Sequence, residues 1–340
     1  LISGSGSNVD VGGQTQLVNV VLKQARQGGS PTTWVADLRD IQYSERMGWQ
    51  FQLTKTFALA DNAELTVDLQ TPNLRGRVDS FEGVRNALGV VTGYREVFGQ
   101  PNNIGLQAAG VLKWRPTARD TVNLNVQVVP TWNTQNIGSF AFSPSGSFRQ
   151  ATVGESEYAN NYTAEIGADW EHRFSPELSV KLIGLATQSN VDQDDIFETY
   201  TLTGLGPGGL FNVQTINRTT EAGERVGRGF LTWRPNGAHT IHAGVEGAFN
   251  YRDTKLDIFN TTNGVGPVPQ PIAVADARVE EERVEPFITD VWKINPQFTL
   301  ETGFIYEASR ITQTGDEEKE REFSYPKPRA ILTWQAGAPP

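Results

Sequence analysis

Apolar and polar residues alternate with a period of two in one stretch of this chain after another. Met47, Trp49, Phe51 and Leu53 fall on one side of an extended backbone, and Gly48, Gln50, Gln52 and Thr54 on the other. Leu65, Val67 and Leu69 oppose Glu64, Thr66, Asp68 and Gln70; Val122, Leu124, Val126 and Val128 oppose Asn123, Asn125 and Gln127; Ala164, Ile166, Ala168 and Trp170 oppose Thr163, Glu165, Gly167 and Asp169. This period predicts β-strands with one face in an apolar medium and one in a polar medium. About twelve strands follow, near 33–43, 47–58, 63–73, 105–114, 121–132, 161–171, 177–188, 225–234, 239–251, 283–293, 297–308 and 323–334.

The strands are joined by a repeated unit. Phe57, Trp114, Trp170, Trp233 and Trp292 each end an apolar run, and eight positions on stand Leu65, Val122, Leu178, Ile241 and Leu300. Each pair keeps the parity of the apolar face, as two strands of one hairpin must. Trp334 is a sixth such aromatic, with its partner expected beyond the last residue. The other ends of the strands are joined by the long segments 74–104, 133–160, 189–224, 252–282 and 309–322. Short turns at one rim and long connections at the other describe an antiparallel up-and-down sheet, the plan of an outer-membrane β-barrel with its apolar outer band, polar interior and aromatic girdles. A soluble β-sandwich also alternates, but it does not keep its long loops at one end. Phe57, Trp114, Trp170, Trp233, Trp292 and Trp334 are therefore expected at a lipid–water interface. Lys55 and Asp290 fall on the apolar face by parity, which calls for an interfacial position or a local bulge.

Composition narrows the partners. A net charge of −10 leaves no basic patch for a nucleic acid. No cysteine is present, so neither a disulfide framework nor a thiolate metal site is available. No cofactor is implied. No leader precedes the first strands, so the chain is expected to be a mature form or a fragment of an exported protein.

Residues 1–28 stand outside the hairpin series. Val9-Asp10-Val11-Gly12-Gly13-Gln14-Thr15-Gln16-Leu17-Val18-Asn19-Val20-Val21 resembles the end of the plug domain of TonB-dependent outer-membrane receptors. Arg283-Val284-Glu285-Pro286-Phe287, Leu300-Glu301-Thr302-Gly303-Phe304-Ile305-Tyr306-Glu307 and Phe323-Ser324-Tyr325-Pro326-Lys327-Pro328-Arg329-Ala330-Ile331-Leu332-Thr333-Trp334 are similar to barrel segments of that family, especially its alphaproteobacterial members. The resemblance implies a plug end and linker at 1–28 and a partial barrel at 29–340, with about 12 of an expected 22 strands. It also implies an energised importer of a scarce solute such as a siderophore, vitamin or oligosaccharide, working with a TonB-type energy-transducing protein. A passive porin is the rival within transport, a soluble lectin or adhesin the rival from the binding class, and an outer-membrane enzyme the remotest.

No catalytic constellation stands out. His239 and His242 are three apart, on opposite faces of a strand, and cannot chelate together. Asp192-Gln193-Asp194-Asp195 lacks the glycine and distal glutamate of a calcium loop and reads as a solvated loop tip. By parity Gln107, Lys113, Asn123, Asn125, Gln127, Glu165, Asp169, Arg228, His242, Glu246 and Asn250 point inward. Thr131, Glu165, Arg228 and Asn250, nearest the long-connection rim, are the candidates to meet a solute. Tyr94, Phe140, Phe148, Tyr200 and Phe211 are loop aromatics that could add contacts.

Overall fold

The computed structural model describes residues 2–3, 16–17, 32–40, 47–203 and 206–335. Seventeen strands are present among them: β1 (Ile2–Ser3), β2 (Gln16–Leu17), β3 (Thr32–Arg39), β4 (Gly48–Ala60), β5 (Ala63–Arg75), β6 (Val78–Arg85), β7 (Val91–Gly105), β8 (Gln107–Trp114), β9 (Asp120–Phe142), β10 (Phe148–Arg173), β11 (Leu178–Thr203), β12 (Gly206–Trp233), β13 (His239–Thr262), β14 (Val265–Pro269), β15 (Asp276–Asn295), β16 (Phe298–Gly315) and β17 (Lys319–Trp334). Fifteen of these form one antiparallel sheet running β3-β4-β5-β7-β9-β10-β11-β12-β13-β15-β16-β17, with β8 between β5 and β9 below β7, and with β6 and β14 added at the long-connection rim. The sheet therefore has fifteen strands where the sequence pattern predicts twelve. The difference is β6 and β7, which lie in the predicted connection 74–104, and β14, which lies in the predicted connection 252–282; the predicted strand 105–114 is β8.

The predicted long loops are largely strand. β10 and β11 have 26 residues each and β12 has 28, more than twice the 9–11 that cross a bilayer. Beyond the bilayer both faces of a ribbon meet water, so no apolar alternation marks it while the backbone ladder continues. The Asp192–Asp195 run is accordingly mid-strand in β11, not a loop tip. Asp195 is buried there and accepts from Gln193 Nε2. A bulge at Asn160, whose φ is 50°, turns the upper part of β10 by one face.

Register shows how the sheet is tilted. Following directly opposed partners from Phe57 leads through Leu65, Leu112, Leu124, Ala168, Gly184, Gly227, Gly247, Val284 and Ala308 to Ser324. Ser324 lies ten residues from the rim aromatic of its own strand, Trp334 (334 minus 324). Ten residues of slip over ten strand-to-strand steps, at roughly 3.3 Å rise and 4.8 Å spacing, is a tilt of about 35°, in the range barrels adopt. β3 and β17 are the two edges, each paired on one side only among the described residues.

The part of 1–28 that is described is one two-residue ladder, Ile2↔Leu17 and Ser3↔Gln16, in a sheet of its own. The Val9–Val21 segment compared with a plug end otherwise lies outside the described residues, as does the linker at 28–31.

Candidate functional site: the polar inner face

The two faces of the sheet differ in the way parity requires. Outward, Val126, Ile166, Leu182, Val245, Ile288 and Phe304 are exposed. Inward, Ala248, Glu285, Phe287, Glu307 and Ser309 are buried by their neighbours. Phe57, Trp114, Trp170, Trp233, Trp292 and Trp334 stand exposed on the outer face at the short-turn rim. Trp49 and Trp132 are exposed on the same face toward the other rim. An exposed apolar band between aromatic rims on a tilted antiparallel sheet is the outer-membrane arrangement.

The inner face carries a continuous ionic row across β12–β17. Arg228, Glu246, Glu285, Glu307 and Tyr325 are directly opposed on successive strands. Three carboxylates in line would repel; Arg228 at the end of the row and Arg283 and Lys327 set diagonally to it prevent this. Arg228 Nη1 lies 3.1 Å from Glu246 Oε2, and Arg283 reaches Glu246 at 3.5 Å and Glu285 at 3.8 Å. Lys327 Nζ sits 2.9 Å from Glu285 and 2.6 Å from Glu307, whose other oxygen accepts from Tyr325 at 2.8 Å. The Arg228 guanidinium also lies 4.3 Å from the centre of the Phe287 ring and 5.6 Å from that of Phe230, a cation–π arrangement. Glu285 and Glu307 are absent from the inward set drawn from the sequence. The alternation Arg283-Val284-Glu285-Pro286-Phe287 carries the signal that would have found them.

The four predicted solute-facing residues all take the inner parity but are not one site. Arg228 belongs to the ionic row. Asn250 lies four residues along β13 from Glu246 of that row and donates to Glu281 Oε2 at 3.0 Å. Glu165 accepts from Asn125 at 3.2 Å on the β9–β10 part of the wall, where Asn123, Asp169 and Lys181 form a second polar group. Thr131 is opposed to Asn161 at the bulge. The predicted loop aromatics are drawn elsewhere: Phe140 and Phe148 pack with Phe98 and Phe142 at centroid distances of 4.7–5.3 Å, on the outer parity of β7 and β9. Tyr94 stacks on Phe81, and Tyr200 donates to Glu198.

The charges predicted on the apolar face are there without a bulge. Register is unbroken at Lys55 and Asp290; the irregularities fall nearer the turns, at Ala58/Ala60 and Lys293/Asn295. Asp290 meets His239 Nδ1 at 2.7 Å, and His239 stacks on Trp292 at 5.3 Å. The next short turn along repeats the device: Asp120 Oδ1 meets His172 Nδ1 at 2.7 Å and accepts from Trp170 Nε1 at 3.0 Å. His–Asp pairing across strands is not visible in the linear spacing, which is why these pairs were missed. Among the described residues no group of three metal-ligating side chains converges.

Fold and faces together define an all-β outer-membrane protein of the up-and-down barrel class, resident in the outer membrane of a Gram-negative bacterium. No family model matches the chain, and no curated protein matches it. Similar solved structures include the outer membrane protease OmpT from Escherichia coli, at 9% identity, 82% of this chain, 98% of that chain and a TM-score of 0.25. They also include the toluene transporter TodX from Pseudomonas putida, at 11%, 89%, 86% and 0.27, and the toluene transporter TbuX from Ralstonia pickettii, at 12%, 82%, 77% and 0.22. Likeness at this level carries no inference about activity. These are outer-membrane barrels and not TonB-dependent receptors, so the family suggested by the sequence motifs is corrected. The motifs compared are alternating strand segments, and any outer-membrane strand must alternate in that way. With the family go the plug assignment and the ground for a TonB-type partner.

Proposed function

We propose that the chain forms the wall of a passive outer-membrane channel for small hydrophilic solutes, without a catalytic role. The observation that carries this reading is the inner face, where polar and charged side chains stand among apolar ones such as Ile183, Phe230 and Phe287 and form the Arg228–Glu246–Glu285–Glu307 row across β12–β16. A soluble sandwich would bury its apolar sheet face, whereas here Val126, Ile166, Leu182, Val245 and Phe304 stay exposed. A closed wall requires the β3 and β17 edges each to gain a partner, because unpaired backbone groups are not stable in hydrocarbon. Thr131, Glu165, Arg228 and Asn250 line the route at different heights in this reading. The test is conductance of the folded protein in planar lipid bilayers, with liposome swelling in sugars of graded size. Stepwise conductance and a size cut-off are expected. Folded, inserted protein that passes neither ions nor sugars would overturn the proposal.

A further inference from the structure

The outer face carries one feature that a wall in lipid does not need. Arg225, Phe249, Glu282, Arg310 and Glu322 are directly opposed on five successive strands, all on the outer parity. Glu282 and Arg310 are an ion pair with half-exposed side chains. Arg225 donates to the backbone carbonyls of Thr187 and Glu224, which pins one end of its guanidinium. The row lies high. Arg225 stands eight residues from Trp233, Glu282 ten from Trp292 and Glu322 twelve from Trp334. At about 3.3 Å per residue and the tilt above, that is roughly 22–32 Å from the short-turn rim. An apolar band is about 25 Å tall. The charges therefore meet the headgroup layer on the long-connection side, the outer leaflet in barrels of this class.

Directly below this row the surface is recessed. The next opposed positions are Gly227, Gly247, Val284, Ala308 and Ser324. A Cβ on Gly227 would meet nothing within 4 Å, and one on Gly247 only the Arg283 carbonyl at 3.9 Å. The resulting groove has a volume of about 930 Å³ and is lined by Arg225, Gly247, Phe249, Glu282, Arg310 and Glu322 among others. Small side chains that run up to the edge of the apolar band and a charged row one step above them match a molecule with acyl chains below and anionic groups above. The signs alternate along the row, which suits phosphates held together with divalent cations rather than a bare anion.

We propose that this groove binds a diphosphorylated, multiply acylated glycolipid of the outer leaflet. Its phosphates meet the guanidinium groups of Arg225 and Arg310, its divalent counter-cations meet Glu282 and Glu322, and one acyl chain lies along Gly247, Val284 and Ala308. The proposal does not depend on the chain conducting solutes.

The test titrates the full chain in detergent micelles with bis-phosphorylated lipid A and magnesium, read by native mass spectrometry. Dephosphorylated lipid A and phosphatidylglycerol serve as comparisons. The bis-phosphorylated lipid is expected to bind at least about tenfold more tightly than either, as two lost charge-assisted contacts imply. The double variant Arg225→Gln/Arg310→Gln should remove that preference, Gly247→Leu should weaken binding by filling the groove, and Lys55→Gln at the opposite rim should change nothing. Equal binding of dephosphorylated lipid by the unsubstituted chain overturns the proposal without reference to any variant. So does a folded double variant that keeps the preference. A Gly247→Leu variant that alters self-association and not lipid binding would make the groove a contact between copies instead.

Discussion

The tilt makes a sharp prediction about Val126→Arg. Val126 lies on the outer face, four residues from Val122, which is opposed to both Trp114 and Trp170 at the short-turn rim. Four residues at about 3.3 Å, foreshortened by a 35° tilt, place it roughly 11 Å into a band about 25 Å tall. An arginine near the midplane costs about 2–4 kcal/mol, and one at the boundary about 0–1 kcal/mol. Ala308 provides the contrast. It has the same parity but stands eight residues from Leu300, the partner of Trp292, or roughly 22 Å up by the same arithmetic. Ala308→Arg should therefore cost about 0–1 kcal/mol. The chain already performs part of this experiment, because the opposed row that contains Val126 continues through Ile166 and Ala186 to Arg225, Glu282 and Arg310. Urea titration of the refolded protein in lipid vesicles, followed by tryptophan fluorescence, measures both costs. Equal destabilisation by the two substitutions would refute the assignment of heights, and no destabilisation by Val126→Arg would refute the assignment of faces.

Two further outcomes follow from the inner row and from the long-connection rim. Lys327→Met removes the cation between Glu285 and Glu307, whose side chains are only 6% and 8% exposed. Glu285 then keeps Arg283 at 3.8 Å and Glu307 keeps the Tyr325 hydroxyl, so the loss in the same titration should approach, without exceeding, the about 3–5 kcal/mol of a broken buried pair, and a loss below about 1 kcal/mol would show that water reaches both carboxylates freely. Asp316, in the turn between β16 and β17, accepts from the backbone N–H groups of Asp276 and Ala275, which hold its carboxyl below the ordinary range. A depressed folded value means its contribution is present above the unfolded pKa and lost as pH falls through the folded one. Protection of the Asp276 amide, taken against the intrinsic exchange rate at each pH, should thus fall on acidification below the ordinary carboxylate range, and Asp316→Asn should lower it already at neutral pH. Protection unchanged by both would show that the turn is held by other bonds.

Period-two alternation and the eight-residue spacing of aromatic and aliphatic residues were enough to specify the strands within the membrane, their faces and the short-turn rim. Those properties are local: parity is decided residue by residue, and a tight hairpin preserves it. Thr131, Glu165, Arg228 and Asn250 were placed on the inner face for that reason. Height and neighbourhood were not legible, because both depend on register accumulated across strands far apart in sequence. A straight row of partners begins at Phe57 beside one rim and ends at Ser324 near the other. Parity puts Val126 and Arg310 on the same face; only the register puts one in hydrocarbon and the other at the boundary. The same holds for Asp290 with His239 and for Lys327 with Glu285, 51 and 42 residues apart. The extension of β9–β13 beyond the bilayer was equally hidden, since water on both faces imposes no alternation and the backbone ladder that continues there leaves no mark in the side chains. The family resemblance failed for a related reason. Alternation answers to lipid on one side and water on the other, a demand that every outer-membrane strand meets whatever protein it serves.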